Sequence, residues 1–459
     1  MNDNSKPEVE TSALPSDINR QILNLALPAL GALVAQPLLT TIDSGMVGHL
    51  GTAPLAGLAL ASTILTSVVG LFIFLAYSTT ALTSRATGAG RPGEGLQNGI
   101  NAIWLAAVLG ILSATALMLG AKPLVAWFNP TAEVSTHALA YLHYASPGLV
   151  GMLVVLAATG TLRGTLDTRT PFIVATVGAA VNAILNAVLI YGANMGIAGS
   201  ALGTAITETL MGAVLTAVVV WRTRPYHLRF RFNLGGVWAA AHHGSALLVR
   251  TVSLRLAFLA TVWAVTKTGT TALAAHQSAL TVWMFSAFAL DALAIAAQAL
   301  IGHTLGAEDV ARTRALVRRI IWWGLASGAV IGLVIVAGSP LFPWIFGTDA
   351  QMRSLATTAL IIGGILQVVA GYVYVLDGIL MGAGDNRYLA IAGVINIAVY
   401  LPLLWLIVQF FTPATGVCEQ RWVLGLIWVS LAGAFMGMRA LTTGWRLRTD
   451  TWMHLPDAH

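Results

Sequence analysis

Apolar stretches long enough to cross a membrane recur along the whole chain, separated by short polar or Gly/Pro-rich breaks. A membrane-spanning helix needs about 20 predominantly apolar residues. This pattern predicts twelve spans, numbered here in chain order, at residues 22–48, 55–83, 97–120, 137–160, 172–192, 200–221, 244–266, 272–300, 318–338, 354–380, 388–410 and 422–442. The chain is therefore expected to be an all-α, multi-pass membrane protein.

The longest and most basic break, residues 222–243, lies at the middle of the chain and separates two halves of six spans each. We predict an N-lobe at 22–221, a C-lobe at 244–442, a cytoplasmic linker between them and cytoplasmic tails at 1–21 and 443–459. A constant shift of 218 residues matches GTAPLAG (51–57) to GTTALAA (269–275), and RGTLDTR (163–169) to MGAGDNR (381–387). Because six is even, the halves should be parallel repeats that handle substrate near the midplane.

The composition excludes an ordinary soluble protein, because 57% of the residues are hydrophobic and only 9% are charged. The net charge of +6 does not indicate nucleic-acid binding, because the basic residues lie in short connections, where they orient the spans. With the N-terminus in the cytoplasm, eighteen Lys and Arg fall inside and four outside. With an even number of spans, this distribution predicts a protein of the inner or plasma membrane with both termini cytoplasmic. Residues 1–20 lack a basic n-region followed by a short apolar region and a cleavage site, so no removable signal peptide is expected.

Several other classes of protein are disfavoured by motifs that the sequence lacks. There is no HExxH or GxSxG motif, which argues against an intramembrane enzyme. An ATP-driven pump is disfavoured because no nucleotide-binding domain fits in loops this short. The single Cys418 cannot form an intrachain disulfide and has no neighbours with metal-ligand spacing. We therefore expect no enzyme activity, no cofactor and no metal, and a monomer whose partners are the bilayer and small organic molecules.

Span 1 carries a lone carboxylate, Asp43, on the same helical face as Gln36 and Thr40. An Asp inside a span costs about 2.5 to 3.5 kcal/mol on insertion scales, so it normally faces a cavity or a partner, or carries a proton. We interpret Asp43 as an ion-coupling site. The alternative is a structural Asp near the outer interface.

The first half contains more polar residues that are suitably placed for a pocket with Asp43. Asn182 and Asn186 in span 5, and Thr204 and Glu208 in span 6, are pairs at i and i+4 and so share a face. Hydrogen bonding between helices is the alternative role of the Asn pair.

A second polar group is predicted in the second half. It comprises Arg255 in span 7, Gln277 and Asp291 in span 8, and Tyr374 and Asp377 in span 10. Because a charge is costly alone in a membrane, we expect Arg255 and Asp291 to depend on each other. Asp377 fits a cytoplasmic gate or a residue at the membrane interface equally well.

The matched loops after spans 4 and 10 share the pattern GxxDxR, which we interpret as structural. In this interpretation the Gly ends one helix, the Asp caps the next, and the Arg anchors at the membrane interface.

Four stretches resemble the multidrug and toxic compound extrusion (MATE) transporters, and the DinF branch is the most similar. They are IDSGMVGHLG in span 1, RGTLDTRTPF after span 4, VNAILNAVLIY followed by GIAGSALGTAI, and FALDALAIAAQALIGHTLGAED in span 8. The resemblance implies a V of two six-helix lobes that exports organic, often cationic compounds in exchange for protons or sodium.

Site residues are carried over from this resemblance by motif. Asp43 corresponds to the acid that takes the coupling proton, Pro28 to the proline where helix 1 bends, and Asn182 and Thr204 to polar residues of the same pocket. Asn186 departs from relatives that often have a second Asp there, which argues against a relay of two carboxylates.

The leading hypothesis is therefore a secondary antiporter for small organic compounds. A lipid-linked precursor flippase of the same wider superfamily and an organic-acid exporter are the alternatives. A proton is favoured over sodium as the coupling ion, because a proton needs only Asp43, whereas sodium needs several oxygen ligands.

Overall fold

The computed structural model describes residues 15–412 and 416–454, and the regular structure in these ranges is helical. It contains the twelve predicted membrane helices, arranged as two six-helix halves. Their bounds are α1 Pro15–Gly48, α2 Thr52–Leu71 with Phe74–Gly88, α3 Pro92–Trp127, α4 Ala132–Ala145 with Gly148–Gly164, α5 Arg169–Ala187, α6 Ile197–Thr223, α7 Leu234–Thr268, α8 Thr270–Gly306, α9 Val310–Gly338, α10 Ala350–Ile365 with Gln367–Gly382, α11 Asn386–Phe411 and α12 Val417–Trp428 with Met436–Arg448.

Two helices are bent at equivalent places in the two halves. The segments of α4 meet at 54° and those of α10 at 52°. Pro147 lies at the break in α4 and has no N–H for the helical hydrogen bond, whereas the break in α10 lies at Leu366 without a proline. The same bend thus forms from different sequences, as expected of a structural repeat.

Several helices extend beyond the predicted bounds. The linker was predicted at 222–243, but α7 already begins at Leu234, where the side chain of Asn233 accepts a hydrogen bond from the N–H of Gly235 at 3.1 Å. Similarly, α1 begins at Pro15, inside the predicted N-terminal tail. Helix α12 continues to Arg448, so residues 443–448 of the predicted C-terminal tail are helical. Hydropathy marks only the apolar middle of a span, whereas the polar ends of these helices reach past it.

The two halves pack together through glycines of α2 and α8. A Cβ placed on Gly88 would lie 1.9 Å from the carbonyl oxygen of His303, and one on Gly306 would lie 2.0 Å from that of Arg85. The two contacts are equivalent in the two halves, because the 218-residue shift matches Gly88 to Gly306 and Arg85 to His303. We call this end of the molecule the contact end; it also holds the linker and the last turn of α12.

A single buried apolar cluster continues across the contact end from one half into the other, including Leu75 of α2 and Ala297 of α8. Towards the opposite end of the same helices, Ser67 on α2 and Gln277 and Met284 on α8 are exposed. The halves therefore form a V that is joined at the contact end and has accessible polar side chains at the other end.

Candidate functional site

The first polar group is centred on Asp43, which is 7% exposed and lies among α1, α5 and α6. Its Oδ1 accepts hydrogen bonds from Ser200 Oγ at 2.5 Å and from Asn186 Nδ2 at 3.0 Å. The structure thus places Asp43 in the predicted pocket, and it adds Ser200. Ser200 lies one turn before Thr204 on α6, so the i, i+4 pattern could have been extended to it.

A chain of side-chain hydrogen bonds continues from Asp43 into this pocket. Asn186 Nδ2 also donates to Asn182 Oδ1 at 3.2 Å, and Asn182 Nδ2 donates to Thr204 Oγ1 at 3.2 Å. The side-chain oxygen of Asn186, Oδ1, is fully enclosed and has no hydrogen-bond partner among the described residues. Tyr141 of α4 is buried beside Asp43 and was not predicted from the sequence.

The other predicted members of this group lie further from the carboxylate. Gln36 and Thr40 are exposed on α1, and the Thr40 hydroxyl donates to the backbone oxygen of Gln36 at 3.1 Å. Glu208 is buried on α6 and lies next to Gln36 rather than Asp43. Pro28 lies within α1, which is assigned as one helix from Pro15 to Gly48.

In the second half, Asp377 is buried on α10 between two arginines. Arg250 of α7 donates to its Oδ2 at 2.5 Å, and Arg439 of α12 donates to the same oxygen. A cavity of about 20 Å³ adjoins these three residues and Asn396, which is room for one water molecule. Asp377 is thus a buried ion-pair residue.

Asp291 of α8 faces the first half across the contact between the halves. The hydroxyl of Tyr77 on α2 lies 3.3 Å from both of its carboxylate oxygens. Arg163 of α4 and Arg250 of α7 lie close enough to interact electrostatically with this carboxylate. The backbone oxygen of Tyr77 in turn accepts from Gln298 Nε2 at 2.6 Å.

The expected partnership of Arg255 with Asp291 is not formed. Arg255 is exposed and its guanidinium group packs against Gly70 of α2, so closely that a Cβ on Gly70 would lie 1.8 Å from one of its terminal nitrogens. Arg250 is the α7 residue near Asp291 instead; five residues of helix separate the two arginines, which turns their side chains roughly 140° apart.

Of the other predicted second-half residues, Tyr374 is partly buried in the same group, near Asp291 and Asp377. Gln277 is exposed near the start of α8, away from both charged groups.

Three arginines of the second group, Arg163, Arg250 and Arg439, were missed by sequence reasoning, which counted Arg163 and Arg439 only among the basic residues of the cytoplasmic side. Arg163 ends α4 and Arg439 lies in the last segment of α12, where basic residues normally face the aqueous phase. Both side chains are instead buried, with 8% and 7% of their surface exposed.

The matched loops after α4 and α10 are structural, as predicted, but differ in detail. Asp167 caps α5, because its Oδ1 accepts from the backbone N–H groups of Arg169 at 3.0 Å and Thr170 at 2.9 Å, and it also pairs with Arg222. Asp385 makes no such cap and accepts from Arg446 Nε at 2.6 Å instead.

The pKa of the Asp167 carboxyl reflects this loop geometry. Burial alone would raise it, but hydrogen bonds from Thr170 and the charge of Arg222 outweigh burial and hold the pKa below its usual range.

Within residues 15–412 and 416–454, no three His, Cys, Asp or Glu side chains are grouped closely enough to hold a metal ion. The candidate site therefore consists of two separate polar groups, one around Asp43 inside the first half and one around Asp291 and Asp377 at the junction of the halves.

Two parallel six-helix repeats that meet at one end, with carboxylates buried on facing membrane helices, define a multi-pass membrane transporter. The MatE family model matches the chain twice, over residues 28–188 and 246–406. The chain thus belongs to the MATE family of multidrug and toxic compound efflux transporters. The two matched ranges are offset by 218 residues at both ends, the shift read from the sequence.

Curated relatives cover nearly the whole chain. Protein DETOXIFICATION 44, chloroplastic, of Arabidopsis thaliana is 30% identical over 95% of this chain and 84% of its own length. DNA damage-inducible protein F of Escherichia coli is 28% identical over 87% of this chain and 90% of its own length.

Solved structures share the fold at lower identity. The Vibrio cholerae MATE transporter VcmN in its bent form aligns with a TM-score of 0.83 and 22% identity, covering 95% of this chain and 99% of that one. A multidrug resistance MATE transporter in an outward-facing conformation aligns with a TM-score of 0.83 and 17% identity, covering 95% and 97%.

Proposed function

We propose that this transporter is a proton-driven antiporter that exports small organic compounds, and that Asp43 carries the coupling proton. The observation behind this proposal is a buried carboxylate held by two neutral donors, Ser200 and Asn186. No Lys or Arg lies in hydrogen-bond contact with Asp43 among the described residues, so neutral and charged forms can both be accommodated there.

The unpaired oxygen of Asn186 supports loading of a proton at Asp43. A protonated carboxyl group is a hydrogen-bond donor as well as an acceptor, and an enclosed carbonyl without a partner is costly. A neutral Asp43 could donate to Asn186 Oδ1 while still accepting from Asn186 Nδ2, as an acid and an amide pair in a ring. Uptake of the proton would then satisfy an acceptor that lacks a partner in the deprotonated arrangement.

Sodium coupling has less support from the described residues. In the second half, the carboxylate of Asp377 is already occupied by two guanidinium groups, which would repel a further cation. In the first half, Asp43 is the carboxylate of the pocket, and its other neighbours are neutral.

We further propose that the contact end faces the cytoplasm, with both termini inside the cell and the protein in the inner or plasma membrane. In this arrangement the structure is open to the outside of the cell and closed to the cytoplasm. Alternating access would separate the glycine contacts of α2 and α8 and bring the opposite ends of these helices together.

The test is efflux measured in inside-out vesicles under an imposed pH gradient without sodium, against a sodium gradient at equal pH, with the membrane potential clamped. We expect export of a fluorescent organic compound only under the pH gradient. Asp43→Asn should abolish it at normal protein abundance. Asp17→Asn is the matched control on the same helix, because Asp17 is exposed and, among residues 15–412 and 416–454, accepts a single side-chain hydrogen bond, from Gln21.

Export driven by the sodium gradient alone would contradict proton coupling. Wild-type export by Asp43→Asn would contradict the role of this carboxylate.

A further inference from the structure

Arg163 is a buried arginine without a bonded counter-ion. It is 8% exposed, and it forms no hydrogen bond and no ion pair with any residue that the structure describes. A lone guanidinium is expensive inside a membrane protein, and arginines there normally pair with an acid or a carbonyl group. The nearest charge partner is Asp291, which interacts with it electrostatically but already accepts from Tyr77.

The group around Arg163 carries an excess of positive charge. It contains three guanidinium groups, on Arg163, Arg250 and Arg439, and two carboxylates, on Asp291 and Asp377. Arg250 and Arg439 both pair with Asp377, so the guanidinium group of Arg163 is left without a bonded carboxylate among the described residues. This group therefore has room for one more anion by charge.

This group lies at the junction of the halves. Tyr77, Asp291 and Arg250 are mostly but not fully buried, with 12% of the Arg250 side chain exposed, and the nitrogens of Arg163 are not among the fully enclosed unpaired atoms. Arg163 and Tyr77 belong to the first half, whereas Asp291 and Arg250 belong to the second half. A ligand here would touch both moving parts of the transporter.

A second cation lies nearby between the halves. Arg255 is exposed, has no hydrogen bond or ion pair with the described residues, and reaches across to Gly70 of α2. Gly70 lies two turns before Tyr77 on the same side of the molecule. Arg255 and Arg163, both without a bonded partner in the part of the chain that the structure describes, therefore lie one after the other beside α2.

We propose that Arg163 binds the carboxylate group of an anionic substrate, with Tyr77 and Arg250 beside it, and that small organic acids are the substrate class of this transporter. This inference rests on the proposed export function. A guanidinium group fits a carboxylate with two parallel N–H···O hydrogen bonds, which gives both affinity and orientation. A cationic substrate would instead need Asp291, but the three guanidinium groups against two carboxylates leave this group with a net positive charge that would repel a cation.

The test is equilibrium binding to the full-length purified protein in detergent, with radiolabelled benzoate and succinate as anionic probes and tetraphenylphosphonium as a cationic probe. We expect the wild type to bind the carboxylates, and to prefer benzoate over benzamide at least tenfold. Arg163→Gln should weaken carboxylate binding at least tenfold without weakening tetraphenylphosphonium binding. Arg163→Lys, which keeps the charge, should restore part of the affinity.

Arg448→Gln is the matched control, because Arg448 is exposed at the end of α12. The proposal is overturned if the wild type binds neither carboxylate, if it does not distinguish benzoate from benzamide, or if Arg163→Gln binds carboxylates like the wild type. The benzamide comparison needs no variant, so it decides the question even if Arg163→Gln does not fold.

The two proposals fail in different ways. Proton-driven export of tetraphenylphosphonium by a protein that binds no carboxylate would preserve the proposed function and remove Arg163 as a carboxylate site. Carboxylate binding that persists in Asp43→Asn, without proton-driven export by the wild type, would preserve Arg163 as a carboxylate site and remove the proposed proton-driven export.

Discussion

Gly88 and His303 touch so closely that the two halves can meet only because position 88 has no side chain. A Cβ on Gly88 would lie 1.9 Å from the His303 carbonyl oxygen and 2.7 Å from its carbonyl carbon. Backbone atoms of a packed helix cannot move aside cheaply, so this contact sets how far the contact end can close.

We therefore expect Gly88→Ala to disfavour the closed contact end and to lower export at least tenfold, because about 1.4 kcal/mol of strain already shifts a two-state equilibrium tenfold. Spin labels at Thr52 and Thr270, in a Cys418→Ser background, would report the separation of the opposite ends of α2 and α8. That separation should shrink in Gly88→Ala.

The matched control is Gly437→Ala, a helical glycine in α12 with no atom within 4 Å of an added Cβ. An unchanged distance distribution in Gly88→Ala would contradict the role of this contact.

The second prediction concerns the buried ion pairs of Asp377. Removing one partner of a buried pair typically costs about 3 to 5 kcal/mol. Asp377→Asn should therefore lower thermal stability in detergent strongly, because it leaves Arg250 and Arg439 without their shared carboxylate. Arg250→Gln should cost less, because the pair with Arg439 remains.

The exposed pair of Arg314 and Asp450 provides a control, and Asp450→Asn should change stability by no more than about 0.5 kcal/mol. Adding Arg250→Gln to Asp377→Asn should recover part of the loss. Strictly additive losses would mean that these residues do not interact.

The third prediction is a pH dependence at Asp167. Its pKa is held below the usual Asp range, so the folded state favours the ionised form more than the unfolded state does. The stability that Asp167 contributes is therefore fully present above the ordinary Asp pKa of about 3.9, and it is lost as the pH falls through the lower folded-state pKa.

Asp167→Asn keeps a side-chain oxygen that can cap α5 but removes the charge that pairs with Arg222, so it should lower thermal stability at pH 7 by up to about 1 kcal/mol. The difference from wild type should shrink as the pH is lowered below about 4. A difference that is the same at both pH values would argue against ionisation of Asp167 as its source.

The fourth prediction concerns orientation. If the contact end is cytoplasmic, a cysteine replacing His227 in a Cys418→Ser background should react with an impermeant reagent in inside-out vesicles but not in intact cells. His227 is exposed in the linker. Asn129→Cys, in the exposed connection between α3 and α4, should show the opposite pattern, and labelling of His227→Cys from outside would reverse the proposed topology.

The helices and the repeat could be predicted from the sequence, because the length of each apolar stretch is fixed by the bilayer and the shift of 218 residues is conserved through several loops. The polar residues around Asp43 could be placed together because their i, i+4 spacing fixes a common face on α5 and α6.

The charged group between the halves could not be predicted in the same way. Which of Arg250 and Arg255 meets an acid depends on the rotation of α7 against α8 and α10, and that rotation is set by packing between helices. Arg163 lies just past the predicted end of span 4 and was counted among the basic residues of the cytoplasmic side, whereas its long side chain lies buried. Hydropathy locates the end of a helix but not the direction of the last side chain.

The linker packs on the first half through two aromatic rings. Phe230 stacks on Trp104 of α3 at 5.1 Å, and Phe232 meets the same ring edge-on at 5.7 Å, while α7 starts afresh at Leu234 behind its own Asn233 cap. Each half also ties its fourth helix to its sixth, through Asp167 with Arg222 and through Asp385 with Arg446. The polypeptide could therefore be divided after Phe232, and two separately translated fragments would be expected to assemble into one working transporter.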